Sequence, residues 1–500
     1  MGRVVDQNLD VDARHEQPDD ALDLTALVAG RPERRRRMRV HDPSVTLPSR
    51  TTVVQADEAR TAFIKAACVP REGSHASGTL EAAAAILAAH PDIAAGDIHV
   101  AAILGDDAAV DRFVVADGAA ATAKGGPYGW DALTHLCFSR YLRLDPARSS
   151  GFVRAAESLL RAGASANTGF FEPDHRPDAT WESALYGAAG VAHHAGVTRV
   201  LLGHGADPND DEVPYHAPET FDNSVVQLLA ASGRLSADSL ATMLLRKADW
   251  HDHSGMELLL DHGADPNYVT RWRRTALHHA ILRDNVLQNI DLLLDRGGDA
   301  TIAADGVTAV ALAARRGRGD VLASLARRGV AIDLHGLDRL AAACALDEAA
   351  AVRSIVEREP ALRDELRTRG GQVLAEFAGN GNTVGVRHLL DLGVPVDAPF
   401  TNGDPYYGVP VNSTALQVAA WRARHGTVKL LIERGAAVGV ADANGRTPLA
   451  LAVRAAVDSY WIGWRSPESV AALIAAGASA AGIHVPTGYA DIDRLLAERG

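Results

Sequence analysis

The feature that most constrains this chain of 500 residues is a short pattern that recurs along most of its length. Its clearest copy is the segment 258–267 (LLLDHGADPN), followed by 275–280 (TALHHA). Diverged copies place a glycine soon after a helical Leu pair or its equivalent, at Gly118, Gly163, Gly205, Gly263, Gly297, Gly329, Gly393, Gly435 and Gly477. A unit of about 33 residues, the distance between successive copies apart from insertions, cannot bury its apolar face alone. Successive units therefore stack on their neighbours. The pattern therefore predicts an array rather than a single globular core.

The residues of the pattern suit the ends of helices. A glycine such as Gly205, Gly263 or Gly435 follows a helical Leu pair, where a C-cap requires positive φ. Thr275, Thr308, Thr414 and Thr447 each precede an apolar run, where a hydroxyl accepts from an unpaired backbone amide at a helix start. Pro448 then falls at the first helical position, where its missing N–H costs nothing. We therefore predict paired helices separated by short turns.

These segments resemble ankyrin repeats, whose signature is Thr-Pro-Leu-His-x-Ala and whose second helix closes with Leu-Leu-x-x-Gly-Ala-Asp. The resemblance implies an all-α ankyrin-repeat solenoid of about ten to twelve antiparallel helix pairs with short finger hairpins. We assign it to residues 57–500, as one domain. Residues 1–56 are rich in Pro, Asp and Arg and show no helical periodicity, which predicts a disordered N-terminal leader.

Composition and charge limit the classes of partner that we expect for this chain. A formal net charge of −13 argues against nucleic acid as the main partner. The basic run 34–39 is interpreted as part of a solvated tail, with a nucleic-acid or membrane tether as the alternative. No apolar run is long enough to span a bilayer and no signal-peptide pattern is present, so we expect a cytoplasmic protein without membrane contact. Cys68, Cys137 and Cys344 lack metal-ligand spacing and are expected to be buried free thiols. Abundant alanine, with only four lysines among 50 basic residues, resembles proteins of high-GC bacteria.

Lengthened connections are the best guide to function. They are predicted near 141–150, 168–181, 209–222, 398–413 and 458–466. Several carry aromatic residues in a chain with only 5% aromatics. In ankyrin repeats the fingers and first helices line a concave face where partners bind, and aromatic residues and arginine are enriched at such interfaces. We therefore expect a binding protein that holds a protein or peptide in its concave groove. The alternative is that each loop packs its aromatics on itself or on the adjacent helix.

The strongest candidate site lies at the finger before Thr275. Compared with segment 442–447, Thr270 there replaces an Asp and Arg273 replaces the turn Gly. A large residue where positive φ is needed predicts a compensating interaction. We expect Trp272 and Tyr268 to be aromatic anchors, with Arg271 and Arg273 directed at carboxylates or phosphates of the ligand. The alternative is that Trp272 packs flat against the neighbouring finger and the arginines pair with Asp249 or Asp265. The full set of candidate ligand-binding residues is Tyr215, Trp250, His251, His253, Tyr268, Arg271, Trp272, Arg273, Tyr406 and Tyr407.

Chemistry other than binding finds little support in the sequence. His251 and His253 could share a metal ion, but an inter-helix turn without a nearby Cys favours hydrogen-bonding roles, so no metal is predicted. His278 lies at a structural position of the repeat. No nucleotide-binding or hydrolase motif is present, no cofactor is predicted and catalytic residues stay unknown. The alternative function is a cofactor-free acid–base enzyme, for cyclisation, elimination or isomerisation, with a small-molecule pocket roofed by the fingers.

Overall fold

The computed structural model describes residues 50–70, 74–172, 179–459 and 461–498, and these are mostly α-helical. Strands in the described residues form only two short hairpins. No helix among these residues is long and apolar enough to cross a membrane. The chain divides into two compact units, the first ending at Glu212 and the second beginning at Val213. The assignment of residues 57–500 to one domain stays a prediction, and each unit is described by itself.

The first unit is a series of helices with one hairpin. The helices are α1 (Arg50–Ala67), α2 (Glu81–Ala89), α3 (Ile98–Leu104), α4 (Asp107–Ala116), α5 (Ala132–Cys137), α6 (Arg140–Leu144), α7 (Ser149–Arg161), α8 (Ala184–Tyr186) and α9 (Ala195–Gly203), and the strands are β1 (Gly169–Glu172) and β2 (Thr180–Ser183). Helices α3 and α5 pack side by side, as do α4, α7 and α9 in turn. A π-helical turn, Gly187–Val191, continues α8.

The second unit repeats the same arrangement over a longer stretch. Its helices are α10 (Glu212–His216, at the boundary), α11 (Ser224–Ala231), α12 (Ala237–Asp249), α13 (His253–Asp261), α14 (Ala276–Leu282), α15 (Leu287–Asp295), α16 (Ala309–Arg315), α17 (Gly319–Arg327), α18 (Gly336–Ala345), α19 (Ala349–Arg358), α20 (Pro360–Arg369), α21 (Gly371–Asn380), α22 (Thr383–Asp391), α23 (Ala415–Trp421), α24 (His425–Glu433), α25 (Pro448–Val457), α26 (Glu468–Ala475) and α27 (Ala490–Ala497). Strands β3 (Ala303–Ala304) and β4 (Val307–Thr308) form a minimal hairpin.

Two layers of helices build this second unit. The first helices of successive pairs, α12, α14, α16 and α18, pack in a row, and α21, α23 and α25 form a second row. The second helices follow them, with α13 against α15, α15 against α17, and α24 against α26. Alanines of the first helices and leucines of the second are buried between the layers, so the core is continuous from pair to pair. This is the stacking predicted from the repeated pattern.

The helix ends follow from the residues of the pattern. Thr275, Thr308, Thr414 and Thr447 are N-caps whose hydroxyls accept from backbone amides three residues on. The closing glycines, Gly263 (φ +90°) among them, have positive φ. Gly118 is the exception, because it begins a 3-10 turn, Gly118–Ala121, capped by Asp117. The three cysteines are free and buried, as predicted.

Several of the lengthened connections contain helices or 3-10 turns. Segment 141–150 includes most of α6, a 3-10 turn (Pro146–Arg148) and the start of α7. Segment 209–222 contains α10, and 458–466 contains the 3-10 turn Ile462–Trp464. Helix α1 begins at Arg50, so the predicted boundary at 56 falls inside a helix. The rest of the leader, with the basic run 34–39, lies outside the described residues.

Candidate binding surface

The finger tip before Thr275 forms a tight turn without the usual glycine. The amide of Thr270 donates to the carbonyl of Arg274 (3.0 Å), and that of Arg273 to the carbonyl of Thr270 (2.8 Å). Arg273 has φ of +56°, as predicted from its place at the glycine position. The compensating interaction is an ion pair between the Arg273 guanidinium and Asp305, 2.8 Å apart and exposed on both sides. The turn is therefore held both by its own hydrogen bonds and by this ion pair with the next hairpin.

Aromatic and cationic side chains stack at this tip. The Arg271 guanidinium lies 4.7 Å from the centre of the Trp272 ring. The Trp272 ring is tilted against Tyr215, with 6.0 Å between ring centroids. Trp272 keeps 37% of its surface exposed in spite of these neighbours. The structure thus brings together three of the predicted residues, from two different connections.

The side chains that contact Tyr215 from inside the unit, starting with Arg246, are buried and charged. The Arg246 guanidinium lies 4.1 Å from the centre of the Tyr215 ring. It also forms ion pairs with Glu219 and with Asp249, the latter at 2.5 Å. Arg246 is therefore held in place on both sides, with its flat face supporting Tyr215.

Asp249 is the centre of this charged group. Its Oδ1 accepts from Nε2 of His279 (2.7 Å) and from Nε of Arg283 (2.6 Å). Burial by itself raises the pKa of Asp249, but the interactions with His279, Arg246 and Arg283 outweigh it and hold that pKa well below its usual value. Burial also lowers the pKa of His279 to about 4, against the attraction of Asp249. At neutral pH the carboxylate is charged and the imidazole is neutral.

Arg283 connects Asp249 to the finger 398–413 through contacts with two of its tyrosines. Its guanidinium lies 3.4 Å from the centre of the Tyr406 ring. Its backbone carbonyl accepts from the Tyr407 hydroxyl (2.9 Å) and from Nε2 of His251 (2.6 Å). Burial raises the pKa of the Tyr406 phenol, and the charge of Asp249 adds to the rise. We call the set Trp272, Tyr215, Arg246, Asp249, Arg283 and Tyr406 the arginine–aromatic row.

A second charged group, formed by Asp284, Arg316, Arg422 and Asp404, lies nearby in the unit, and all but Asp404 are buried. Asp284 has φ of +52° and accepts from Arg316 (3.0 Å) and from Arg422. Arg422 also pairs with Asp404 at 2.5 Å and lies 4.5 Å from the centre of the Tyr407 ring. Burial raises the pKa of Asp284, but Arg422 and Arg316 lower it to about 2. Tyr407 packs into this core with Phe400, Val418 and Trp461, so the finger 398–413 folds back onto the helices.

The other predicted residues have separate surroundings. Trp250 packs edge-on against Phe221, with 5.3 Å between ring centroids, rather than joining the row. Nδ1 of His253 donates to the side-chain oxygen of Asn289 (2.9 Å). His251 and His253 thus bond to different partners. Tyr268 is half-buried, and its amide donates to Asp265 in a turn.

Several members of the row were not predicted from sequence. Arg246, Asp249 and Arg283 of the row, and His279 bonded to it, lie on or at the end of first helices, where the pattern marks mostly apolar and small positions. Their partners lie about a repeat apart, as for His279 and Asp249. A polar residue at the end of a first helix in several consecutive repeats is the signal that could have found them.

The described architecture is a stack of antiparallel helix pairs joined by turns and fingers. The family model for ankyrin repeats (three copies) matches residues 244–335. These residues, which hold Trp272, Asp249, His279 and Arg283, are therefore ankyrin repeats.

Comparison with solved structures gives matches of the same kind. The chain is similar to the human ASB11 ankyrin repeat domain, with 20% identity over 59% of this chain and 98% of that one and a TM-score of 0.22. It is also similar to the ankyrin repeat domain of Bcl-3, a member of the IkappaB family, with 20% identity over 46% of this chain and 97% of that one and a TM-score of 0.21. No curated protein matches the sequence.

Proposed function

We propose that the second unit binds a protein or peptide partner, with Trp272 at the centre of the contact. Ankyrin repeats are typically protein-interaction modules, and their fingers and first helices line a concave groove. The observation that supports the proposal is the stack of Arg271 on Trp272 on Tyr215 at a finger tip. A half-exposed Trp flanked by arginine is the composition of interface hot spots.

The row behind the tip explains how the stack is positioned. Arg246 supports the inner face of Tyr215, and it is fixed by Glu219 and Asp249. Side chains held by packing and ion pairs lose little conformational entropy when a partner binds. Arg271 is exposed, whereas Arg273 already pairs with Asp305, so the surface suits a peptide with a carboxylate near Arg271 beside an apolar or aromatic side chain.

The proposal is tested by selecting random peptides on the immobilised full chain and measuring the affinities of the selected peptides by fluorescence anisotropy. Trp272→Ala and Arg271→Ala should each weaken binding by about 2 kcal/mol, roughly 30-fold. Arg271→Lys keeps the charge but not the planar fork, and should lie in between. Phe171→Ala and Arg199→Ala remove an exposed aromatic and an exposed arginine from the first unit, and should leave affinity unchanged. Peptides that bind Trp272→Ala as tightly as wild type would contradict the proposal.

One group that bears on the acid–base alternative is the pair Asp249–His279, whose Asp249 belongs to the arginine–aromatic row. His279 keeps 6% of its surface exposed and Asp249 5%. The Nε2 of His279 is hydrogen-bonded to Asp249, and the Nδ1 of His279 is buried. A general base must come within hydrogen-bond reach of a substrate proton, and neither group does so in this conformation. The pair instead supports the row, so binding is the function we propose, while the cytoplasmic location and bacterial origin stay predictions.

A further inference from the structure

The first unit contains a cluster of His and carboxylate side chains that the binding function does not use. The ligand atoms of His75, Glu172 and Glu182 all lie within 4.8 Å of one another. Two ligand atoms on one zinc ion lie at most about 4.2 Å apart, given Zn–N and Zn–O distances of about 2.1 Å. The cluster is therefore close to the dimensions of a metal site.

The hairpin of β1 and β2 places both carboxylates on one face. Phe170 pairs with Glu182, and Glu172 pairs with Thr180. Because side chains alternate along a strand, Phe170, Glu172, Thr180 and Glu182 share the same face. The strands approach closely at Gly169, where a Cβ would lie 2.2 Å from the carbonyl oxygen of Glu182. The arrangement of the two carboxylates is thus fixed by backbone pairing.

His75 reaches this face from a distant segment of the chain. Its Nε2 lies 3.0 Å from Oε2 of Glu172, and its Nδ1 lies 2.9 Å from the Tyr186 hydroxyl. Tyr186 is buried at the end of α8, whose N-cap Ser183 directly follows Glu182. A ligating imidazole is commonly oriented by a hydrogen bond at its other nitrogen, and here Tyr186 provides it. With an ion on Nε2, Nδ1 would carry the proton and donate to the Tyr186 oxygen.

The surroundings favour a charged ligand set that is kept from bulk water. Glu182 is 3% exposed, and the side chains of His75 and Glu172 are 11% and 13% exposed. Phe138 packs edge-on against the His75 ring, with 6.4 Å between ring centroids, and Phe170 packs against Phe138. Two carboxylates brought together in such a setting repel each other, and a divalent cation removes that cost.

We propose that His75, Glu172 and Glu182 bind one divalent transition-metal ion, which joins the hairpin to the segment before α2. One imidazole nitrogen and two carboxylate oxygens suit Zn²⁺ or Mn²⁺, whereas Mg²⁺ and Ca²⁺ prefer oxygen ligands alone. Three protein ligands leave a coordination position for water. The site is independent of the peptide-binding surface, which lies in the other unit.

The test uses the full chain, stripped with a chelator and titrated with ZnCl₂ or MnCl₂ in a calorimeter. One ion per chain should bind, with a rise in the melting temperature that grows with metal concentration. Mg²⁺ should bind much more weakly than Zn²⁺. His75→Ala and Glu172→Gln should each weaken Zn²⁺ binding by at least roughly tenfold, and Tyr186→Phe by roughly tenfold through loss of the orienting hydrogen bond.

The controls separate the site from general metal affinity and from misfolding. His204→Gln and Glu157→Gln remove a histidine and a carboxylate of the same unit outside the cluster, and should leave Zn²⁺ binding unchanged. Far-UV circular dichroism checks that each variant folds. If His75→Ala does not fold, Glu172→Gln and Tyr186→Phe carry the test. Absence of bound Zn²⁺, or equal affinity of wild type, His75→Ala and Glu172→Gln, would overturn the proposal and leave a hydrogen-bonded structural cluster.

Discussion

The charged and aromatic region between Trp272 and Tyr407 in the second unit has an arginine beside an aromatic ring at each end, but in different surroundings. At one end Arg271 lies 4.7 Å from the centre of the Trp272 ring, and at the other Arg422 lies 4.5 Å from that of Tyr407. Trp272 is 37% exposed, whereas Trp461, which packs beside Tyr407, is 2% exposed. Arg422 is enclosed by Asp284 and Asp404, while Arg271 lies at the surface. The buried pair packs inside the fold, whereas the exposed pair is the one we propose for partner binding.

The largest effect is expected at the buried end. Arg422→Ala removes the partner of Asp284 and of Asp404 and leaves a buried carboxylate poorly compensated. We expect a loss of about 3–5 kcal/mol in the free energy of unfolding, measured by urea denaturation. Arg434→Ala breaks an exposed pair with Asp391 and should cost less than about 1 kcal/mol. Equal losses in the two variants would show that the buried group has no special role.

Acid should weaken the second unit through His279. The pKa of His279 is about 4 in the folded protein and near 6.5 when exposed, because burial disfavours its charged form. Between these values the unfolded chain binds a proton that the folded protein does not, so stability falls as the pH drops from about 6.5 to about 4. The shift corresponds to about 3 kcal/mol at the lower pH.

His279→Gln isolates this contribution. The free energy of unfolding of this variant should depend less on pH than that of wild type between about pH 4 and 6.5, because the buried imidazole has been removed. The exposed His262→Gln serves as the control and should keep the wild-type pH dependence. Identical pH profiles for His279→Gln and wild type would contradict the role given to this residue.

A smaller effect is expected where the finger 398–413 is attached. The Tyr407 hydroxyl donates to the carbonyl of Arg283, which also accepts from His251. Tyr407→Phe should therefore cost only about 1 kcal/mol, because the carbonyl keeps one donor. Tyr406→Phe keeps the stacking on Arg283 but removes a hydroxyl that interacts with Asp249, so its thermal unfolding gives the comparison for losing a bond to a carboxylate. A loss above about 3 kcal/mol in Tyr407→Phe would mean that the Tyr407 hydroxyl organises more than this one bond.

The repeats could be predicted from sequence because their determinants are local. The Thr275 hydroxyl caps a helix by accepting from the amide three residues on, and Gly263 ends a helix within its own turn. A short window of sequence therefore contains each interaction. Arg273 belongs to the same class, since a missing glycine within a turn predicted both the positive φ and the need for compensation.

The site could be predicted only in part, because its contacts cross many repeats. Asp284 and Arg422 are 138 residues apart, and neither stands out in its own repeat. Trp250 carries the same aromatic signal as Trp272 but packs against Phe221. The sequence predicted no metal, and the cluster of the first unit was missed because His75 and Tyr186 are separated by 111 residues. Only the fold brings such groups together.

One paired measurement tests the central claim, which is that the exposed Trp272 serves partner binding and the buried Trp461 serves stability. Trp272→Ala should change the free energy of unfolding by less than about 0.5 kcal/mol while weakening the selected peptides roughly 30-fold. Trp461→Ala should lose about 3–5 kcal/mol of stability because it empties a packed core. At temperatures where it remains folded, it should bind those peptides as wild type does. The account is contradicted if Trp272→Ala destabilises the protein as much as Trp461→Ala does, or if it binds the peptides with unchanged affinity.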